Sequence, residues 1–175
     1  MSDYQRATRE CAFAELRPEL MAAIREHARD AGLDDFESEI LICCETLSRR
    51  RRAGLANPLA DGPDKTYYTA VVVTSGQLIW ATGGSRSGAT VLSARFSQIE
   101  VQDYEAGSFY QFAPDTGLEI CGFVAGSAER LQAFIGLGRE PAAQRLRQVL
   151  YRALYQARYR LRPAIARQAF APIGV

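Results

Sequence analysis

Apolar residues recur at helical spacing in the first third of the chain. Between residues 13 and 24 they stand three or four positions apart, which predicts a helix with one apolar face. Gly32 in DAGLDD ends this helix, and the same spacing between residues 36 and 47 predicts a second helix after an aspartate cap. The N-terminal part of the chain is therefore predicted to be a helical pair.

The pattern changes between residues 67 and 137, where short apolar runs alternate with turn residues. YYTAVVVT and QLIWAT are separated by SG, a two-residue turn typical of a β-hairpin, and Trp80 in the second run is predicted to be buried. Leu92, Ala94 and Phe96 alternate with polar neighbours, as expected for antiparallel strands with one dry face. The segment predicts about seven strands in a barrel or sandwich. The remaining predicted strands are TVLSARF, IEVQDY, FYQFAP, GLEICGFV and QAFIGL.

The last apolar pattern is again helical. Pro141 suits a first helical turn, leucines and alanines then form one stripe, and Pro163 is expected to end or kink the helix. Tyr151, Tyr155 and Tyr159 recur at steps of four on a neighbouring face. These tyrosines either widen the buried stripe or form a second contact surface. The second alternative makes them candidate interface residues.

About seven short antiparallel strands followed by one amphipathic helix are the element order of the pleckstrin-homology (PH) fold. The first hairpin YYTAVVVTSGQLIWATG, the strands in ATVLSARFSQIEVQDY and DTGLEICGFV, and ERLQAFIGLG before the helix carry the resemblance. Through them the chain resembles the bacterial PH-like domains. The resemblance implies an α+β fold: a PH-like antiparallel β-barrel capped by the C-terminal helix and preceded by the helical pair. The predicted parts are an N-terminal helical arm (1–60), the PH-like barrel with its capping helix (64–162) and a C-terminal tail (163–175).

Length and composition favour one compact domain with a modest appendage. The chain has 175 residues, and 47% of them are hydrophobic. Its 21 basic and 20 acidic residues give a formal net charge of +1, so no overall field draws it to nucleic acid or to an anionic membrane. Nucleic acid is therefore not an expected partner, and any membrane affinity must be local.

Local basic charge is concentrated in one run and one isolated arginine. SRRRRAGLANP places the run at the C-terminal end of the second predicted helix, where cations favour the helix dipole. The glycines of GGSRSGAT fit a hairpin loop, whereas a phosphate-binding loop would need a lysine and a following helix. TSGQ lacks the basic residues with which lipid-reading PH domains bind inositol phosphates. The candidate anion contacts are Arg49, Arg50, Arg51, Arg52 and Arg86.

No residue set matches a catalytic or metal site. The four cysteines lack the paired spacing of zinc ligands and His27 is the single histidine, so no metal or other cofactor is predicted. Asp103, Glu105 and Asp115 could form an acid pair on barrel loops, although acidic residues are expected in turns without catalysis. The polar start MSDYQRATRE and the lack of a long uncharged apolar run predict a cytoplasmic protein.

These features predict a non-enzymatic binding or scaffolding module that acts through protein–protein contacts. The tyrosine row and the helical arm carry more apolar surface than a small barrel covers, so a homodimer is expected. Two rivals stay open: a peripheral binder of anionic lipid head groups through the candidate arginines, and an enzyme whose site is built from loops. The first predicts salt-dependent binding to acidic vesicles, and the second predicts a concave pocket with converging polar side chains.

Overall fold

A computed structural model describes residues 4–33, 35–50, 65–84 and 86–168, without the side chains of residues 109 and 160–168. Within these residues the chain alternates between strands and helices in an α+β arrangement, which confirms that fold class. The elements are β1 (Tyr4–Glu10), α1 (Pro18–Asp30), β2 (Ile40–Arg50), β3 (Thr66–Thr74), β4 (Gln77–Gly84), β5 (Thr90–Arg95), β6 (Ile99–Asp103), β7 (Gly117–Phe123), β8 (Arg130–Gly136) and α2 (Pro141–Gln168).

The strands form two antiparallel sheets. Sheet A has the order β1-β2-β3-β4-β5, and sheet B has the order β6-β7-β8. Ser75 and Gly76 join β3 to β4, as the hairpin prediction requires. No strand of sheet A pairs with a strand of sheet B in the described part of the chain, so the closed barrel is not formed there by strand pairing.

Sheet A is covered on both faces. On one face, Trp80 and Phe96 pack with sheet B and with Leu146 of α2. On the other face, Leu20 and Ile24 of α1 pack against sheet A. Because β3 is the central strand, its residues from 69 to 74 are buried. The confirmed burial of Trp80 and the presence of the C-terminal helix both follow the predicted pattern.

The second helix of the predicted N-terminal pair is wrong, because residues 40–50 form strand β2. β2 lies between β1 and β3 and is hydrogen-bonded along both edges. Cys44 faces the core under α2 whereas Cys43 faces the core under α1, since successive strand residues point to opposite faces. Burial of both faces removes the polar alternation that marks a strand, and the remaining apolar spacing imitates a helix.

This correction moves the basic run. Arg49 and Arg50 lie at the end of a strand and not at a helix C-terminus, so the helix-dipole explanation is wrong for them. Arg51 and Arg52 lie outside the described residues. β1 was also missed, because most of its residues are polar and exposed and its place depends on pairing with β2.

Two further predictions need correction. The run FYQFAP does not form a strand: Ser108–Gln111 is a 3-10 helix, and local bonds such as Tyr110 N–H to the Gly107 carbonyl (3.3 Å) hold it. Of the two outcomes predicted at Pro163, an end of the helix is contradicted, since α2 continues to Gln168. A proline removes one helical hydrogen bond, and the helix tolerates this loss. No helix in the described ranges has the length and apolar character needed to cross a bilayer.

Candidate functional site

Aromatic side chains from three parts of the chain gather beside sheet B. We call Tyr4, Tyr104, Tyr110, Phe112 and Phe134 the aromatic face. The ring of Tyr104 lies 4.7 Å from that of Phe134 and 6.5 Å from that of Tyr110, measured between centroids. Phe112 is 81% exposed and Phe134 is 40% exposed. Large exposed aromatic side chains are typical of surfaces that bind other proteins.

A partly buried ion pair fixes the position of this face. Arg6 of β1 donates two hydrogen bonds to Asp115, at 3.0 and 2.9 Å. Its guanidinium carbon also lies 5.0 Å from the centroid of Tyr4 and 5.4 Å from that of Phe134. Burial lowers the pKa of Arg6, and the charge of Asp115 opposes that shift. The pair ties the edge strand of sheet A to the segment that precedes β7, and it holds the rings around it.

Two cavities open on either side of the Arg6–Asp115 pair. One has a volume of about 430 Å³ and is lined by β1, Tyr110 and the loop before α2, including Arg139 and Glu140. The other has a volume of about 460 Å³ and lies between Tyr4, Phe112 and Phe134. Pro114 and Asp115 border both cavities, so the aromatic face is grooved and not flat.

A buried carboxylate lies beside the aromatic face on the outer side of sheet B. Glu119 of β7 is 6% exposed, and its Oε2 accepts a hydrogen bond of 2.6 Å from Gln102 Nε2. Its Oε1 accepts a second hydrogen bond from Gln132 Nε2. A third cavity of about 270 Å³ is bordered by Glu119, Gln132, Tyr104 and Phe134.

The predicted tyrosine row divides between the core and the surface. Tyr151 is half-buried against the core between the sheets and α2. Burial, together with a hydrogen bond to Asp103, raises the pKa of Tyr151 to about 12. Tyr155 and Tyr159 are 61% and 53% exposed, with ring centroids 4.6 Å apart. The last two residues therefore remain candidates for an interface, whereas Tyr151 serves the core.

Sheet pairing brings two of the candidate anion contacts to one end of sheet A. Arg49 in β2 is opposite Thr66 in β3, and the neighbouring Tyr67 is opposite Gly84 at the end of β4. Arg86 follows in the loop between β4 and β5, which pair as the expected hairpin. Strands two places apart in a sheet are separated by about 10 Å. Both arginine side chains are exposed, so this end of the sheet carries basic charge on strand β2 and on the β4–β5 loop.

Two of the three carboxylates considered as an acid pair lie near the same arginine. Arg147 contacts both Asp103 (2.9 Å) and Glu105 (3.8 Å), whereas Asp115 pairs with Arg6. The structure therefore brings Asp103 and Glu105 together at Arg147, and Asp115 is held by a different arginine.

His27 lies in α1 and makes a side-chain hydrogen bond to β5. Its Nε2 lies 2.8 Å from Ser93 Oγ, a distance that would suit a base and its nucleophile. Ser93 is fully buried, so a substrate cannot reach its hydroxyl group. The contact instead ties α1 to β5.

The cysteines and the potential metal ligands of the described residues were compared with the requirements of thiol and metal sites. All four cysteines are free, and Cys43 and Cys44 are buried. Burial raises the pKa of Cys44 to about 12. The described ranges contain no group of three or more side chains suited to holding a metal ion.

Sequence reasoning missed Arg6 and the burial of Glu119. Arg6 stands in a polar N-terminal stretch, where a strand is weakly signalled, and Asp115 is 109 positions away. Comparison of the chain with protein-family models, with curated proteins and with solved structures gave no match.

Proposed function

We propose that the protein is a non-enzymatic binding module that docks a protein partner on the aromatic face. The observation that carries the proposal is the exposure of Phe112 beside Phe134, in a groove whose floor is fixed by the Arg6–Asp115 pair. Aromatic side chains on a fixed surface lose little conformational freedom on binding, so they are typical hot spots of protein interfaces.

The element order supports a PH-like scaffold for this module. Strands β2 to β5 run antiparallel in one sheet, β6 to β8 form the second sheet, and α2 follows. Seven antiparallel strands followed by one helix are the element order that the resemblance implies. In this assignment β2, which lies outside the predicted barrel range 64–162, counts as the first strand, and the predicted strand FYQFAP is left out. In this proposal β1 and α1 are additions to the PH-like unit, and β1 supplies Arg6 and Tyr4 to the aromatic face.

Site-specific crosslinking tests the docking surface. A photoreactive phenylalanine analogue at position 112 is expected to crosslink to a defined protein, in cells that express the full chain. The same analogue at position 123 is the control, because Phe123 is 43% exposed on β7 but does not line the groove. Phe134→Ser should abolish the crosslink at position 112. Equal crosslinking at both positions, or none at position 112, would contradict the proposal.

We also propose that the module associates with a second copy of itself through Tyr155 and Tyr159. Two adjacent exposed tyrosines on one helix offer apolar surface that a symmetric dimer would cover on both copies. Light scattering over a dilution series should give a dimer mass at tens of micromolar for the wild type. The double variant Tyr155→Ser, Tyr159→Ser should be monomeric, whereas Phe123→Ser should remain dimeric. A wild-type monomer at these concentrations would exclude self-association.

The convergence of Arg49 and Arg86 at one end of sheet A favours anionic lipid head groups as a second candidate ligand. Basic charges at the same end of sheet A would face a membrane surface together, and such binding weakens as salt screens it. Sedimentation with acidic liposomes at low and high salt tests this function. The double variant Arg49→Gln, Arg86→Gln should lose pelleting, and Arg130→Gln on sheet B is the matched control. Absence of pelleting at low salt would exclude the lipid function.

A further inference from the structure

Glu119 is a buried carboxylate whose two hydrogen-bond donors are both neutral. Gln102 and Gln132 supply amide groups to its two oxygens, and no arginine or lysine pairs with it among the residues that the structure describes. A buried negative charge is unfavourable unless a positive charge or several donors compensate it. Other carboxylates of sheet B differ, since Asp103 contacts Arg147 and Glu100 contacts Arg130.

The carboxylate retains unused capacity to accept hydrogen bonds. An ionised carboxylate offers about four lone-pair positions, and the two amides of Gln102 and Gln132 use two of them. The cavity of about 270 Å³ beside Glu119 gives access to the group from solvent. Because both glutamine side chains are exposed, they can shift when a stronger donor enters.

The walls of this cavity favour a planar cation. Tyr104 and Phe134 border it, and aromatic rings attract cations through their π-electrons. The protein already holds one guanidinium in this way, since Arg6 pairs with Asp115 and lies against Phe134. Arg6 forms its ion pair with Asp115 and not with Glu119. A guanidinium suits the site better than an ammonium group, because its planar fork matches a carboxylate and stacks on rings.

We propose that the cavity at Glu119 receives an arginine side chain of the protein partner. The guanidinium would donate to the Glu119 carboxylate and lie against the contacting rings of Tyr104 and Phe134, beside the partner's contact with Phe112. This inference rests on the proposed function, because it names the chemistry of the partner that the aromatic face would bind. The charge of the incoming side chain compensates the buried carboxylate, so recognition is specific for a cation of this shape.

Titration with short peptides tests the proposal on the full-length protein. The probe is acetyl-Gly-Arg-Gly-amide, compared with the same peptide containing citrulline, which has a similar shape without the charge. Amide chemical shifts around Glu119 and Phe134 should move with the arginine peptide and not with the citrulline peptide. Glu119→Gln and Phe134→Leu should each weaken binding, the first by about tenfold or more, as expected for loss of a charge-assisted hydrogen bond.

Glu100→Gln is the matched control, since it removes one negative charge from the same face of sheet B and should leave affinity within about twofold of the wild type. Equal binding of the citrulline peptide, or equal loss in Glu100→Gln and Glu119→Gln, would overturn the arginine site.

Crosslinking at position 112 separates the two proposals. If the crosslink forms but the arginine peptide does not bind, only the arginine site fails. If the crosslink also fails, the proposed function fails.

Discussion

Trp80 lies in β4 opposite Val71 and Leu92, and it is 5% exposed in the core between sheet A and α2. Removal of a buried aromatic side chain leaves a cavity that the surrounding core fills only in part. Trp80→Ala is therefore expected to lower the free energy of unfolding by about 3 to 5 kcal/mol in urea denaturation. The exposed Phe112→Ala should change it by less than about 0.5 kcal/mol. A loss below about 1 kcal/mol for Trp80→Ala would contradict its role in the core.

Tyr151 predicts a dependence of stability on alkaline pH. Its pKa is raised to about 12 by burial and by Asp103, whereas an unfolded tyrosine ionises near pH 10. The folded state therefore retains a proton that the unfolded state loses. The contribution is complete below about pH 10 and is lost as the pH rises towards 12. In a spectrophotometric titration, the difference between the absorbance curves of the wild type and of Tyr151→Phe should show one tyrosine ionising near pH 12. Ionisation of that tyrosine near pH 10 would contradict the burial.

At the residue scale, the sequence predicts whether a side chain is exposed only where residues close by in the chain determine its surroundings. Alternation with Leu118 and Ile120 places Glu119 on the opposite face of its strand from the core. Its burial comes from Gln102 and Gln132 on the adjacent strands, which local alternation cannot reveal. The same limit applies to Arg6, because its partner lies in a distant part of the chain.

At the scale of elements, the prediction succeeded where a single period dominates. The helices α1 and α2 each bury one face, which gives a clear helical spacing of apolar residues. The β3–β4 hairpin is marked by its turn residues. β2 failed because α1 and α2 cover opposite faces of sheet A, so both sets of its side chains are apolar. β1 failed for the opposite reason, since its polar residues are held in a strand by the backbone of β2.

Close packing within sheet B gives a prediction at the same scale. Gly122 of β7 is opposite Ile99 of β6, and a Cβ at this position would lie 2.2 Å from the Gln98 carbonyl oxygen. Since the obstacle is backbone, β6 and β7 would have to separate. Gly122→Ala should lower the free energy of unfolding by about 1 to 3 kcal/mol in urea denaturation. Gly76→Ala is the control, because a Cβ there meets nothing within 4 Å. Similar stability of the two variants would show that sheet B accommodates the methyl group.

At the scale of the whole molecule, sheet A depends on the N-terminal residues. β2 pairs with β3 from Arg49 to Ile40, and α1 covers the face that contains Val72 and Ile79. A fragment of residues 64–162, the predicted barrel, lacks both and would expose an edge and an apolar face. We expect this fragment to aggregate or to lack dispersed amide signals in NMR spectra. A folded, monomeric fragment would show instead that residues 1–60 form a dispensable arm.

The contacts of β1 also determine when the fold can be completed during translation. Arg6 meets a partner 109 positions later, and Thr8 contacts Gly138 and Glu140 at separations of 130 and 132 positions. At common rates of translation, these partners leave the ribosome roughly 5 to 25 seconds after β1. β1 thus emerges before the other described strands and is among the last to complete its contacts, so the groove of the aromatic face is assembled only after Phe134 of β8 has emerged.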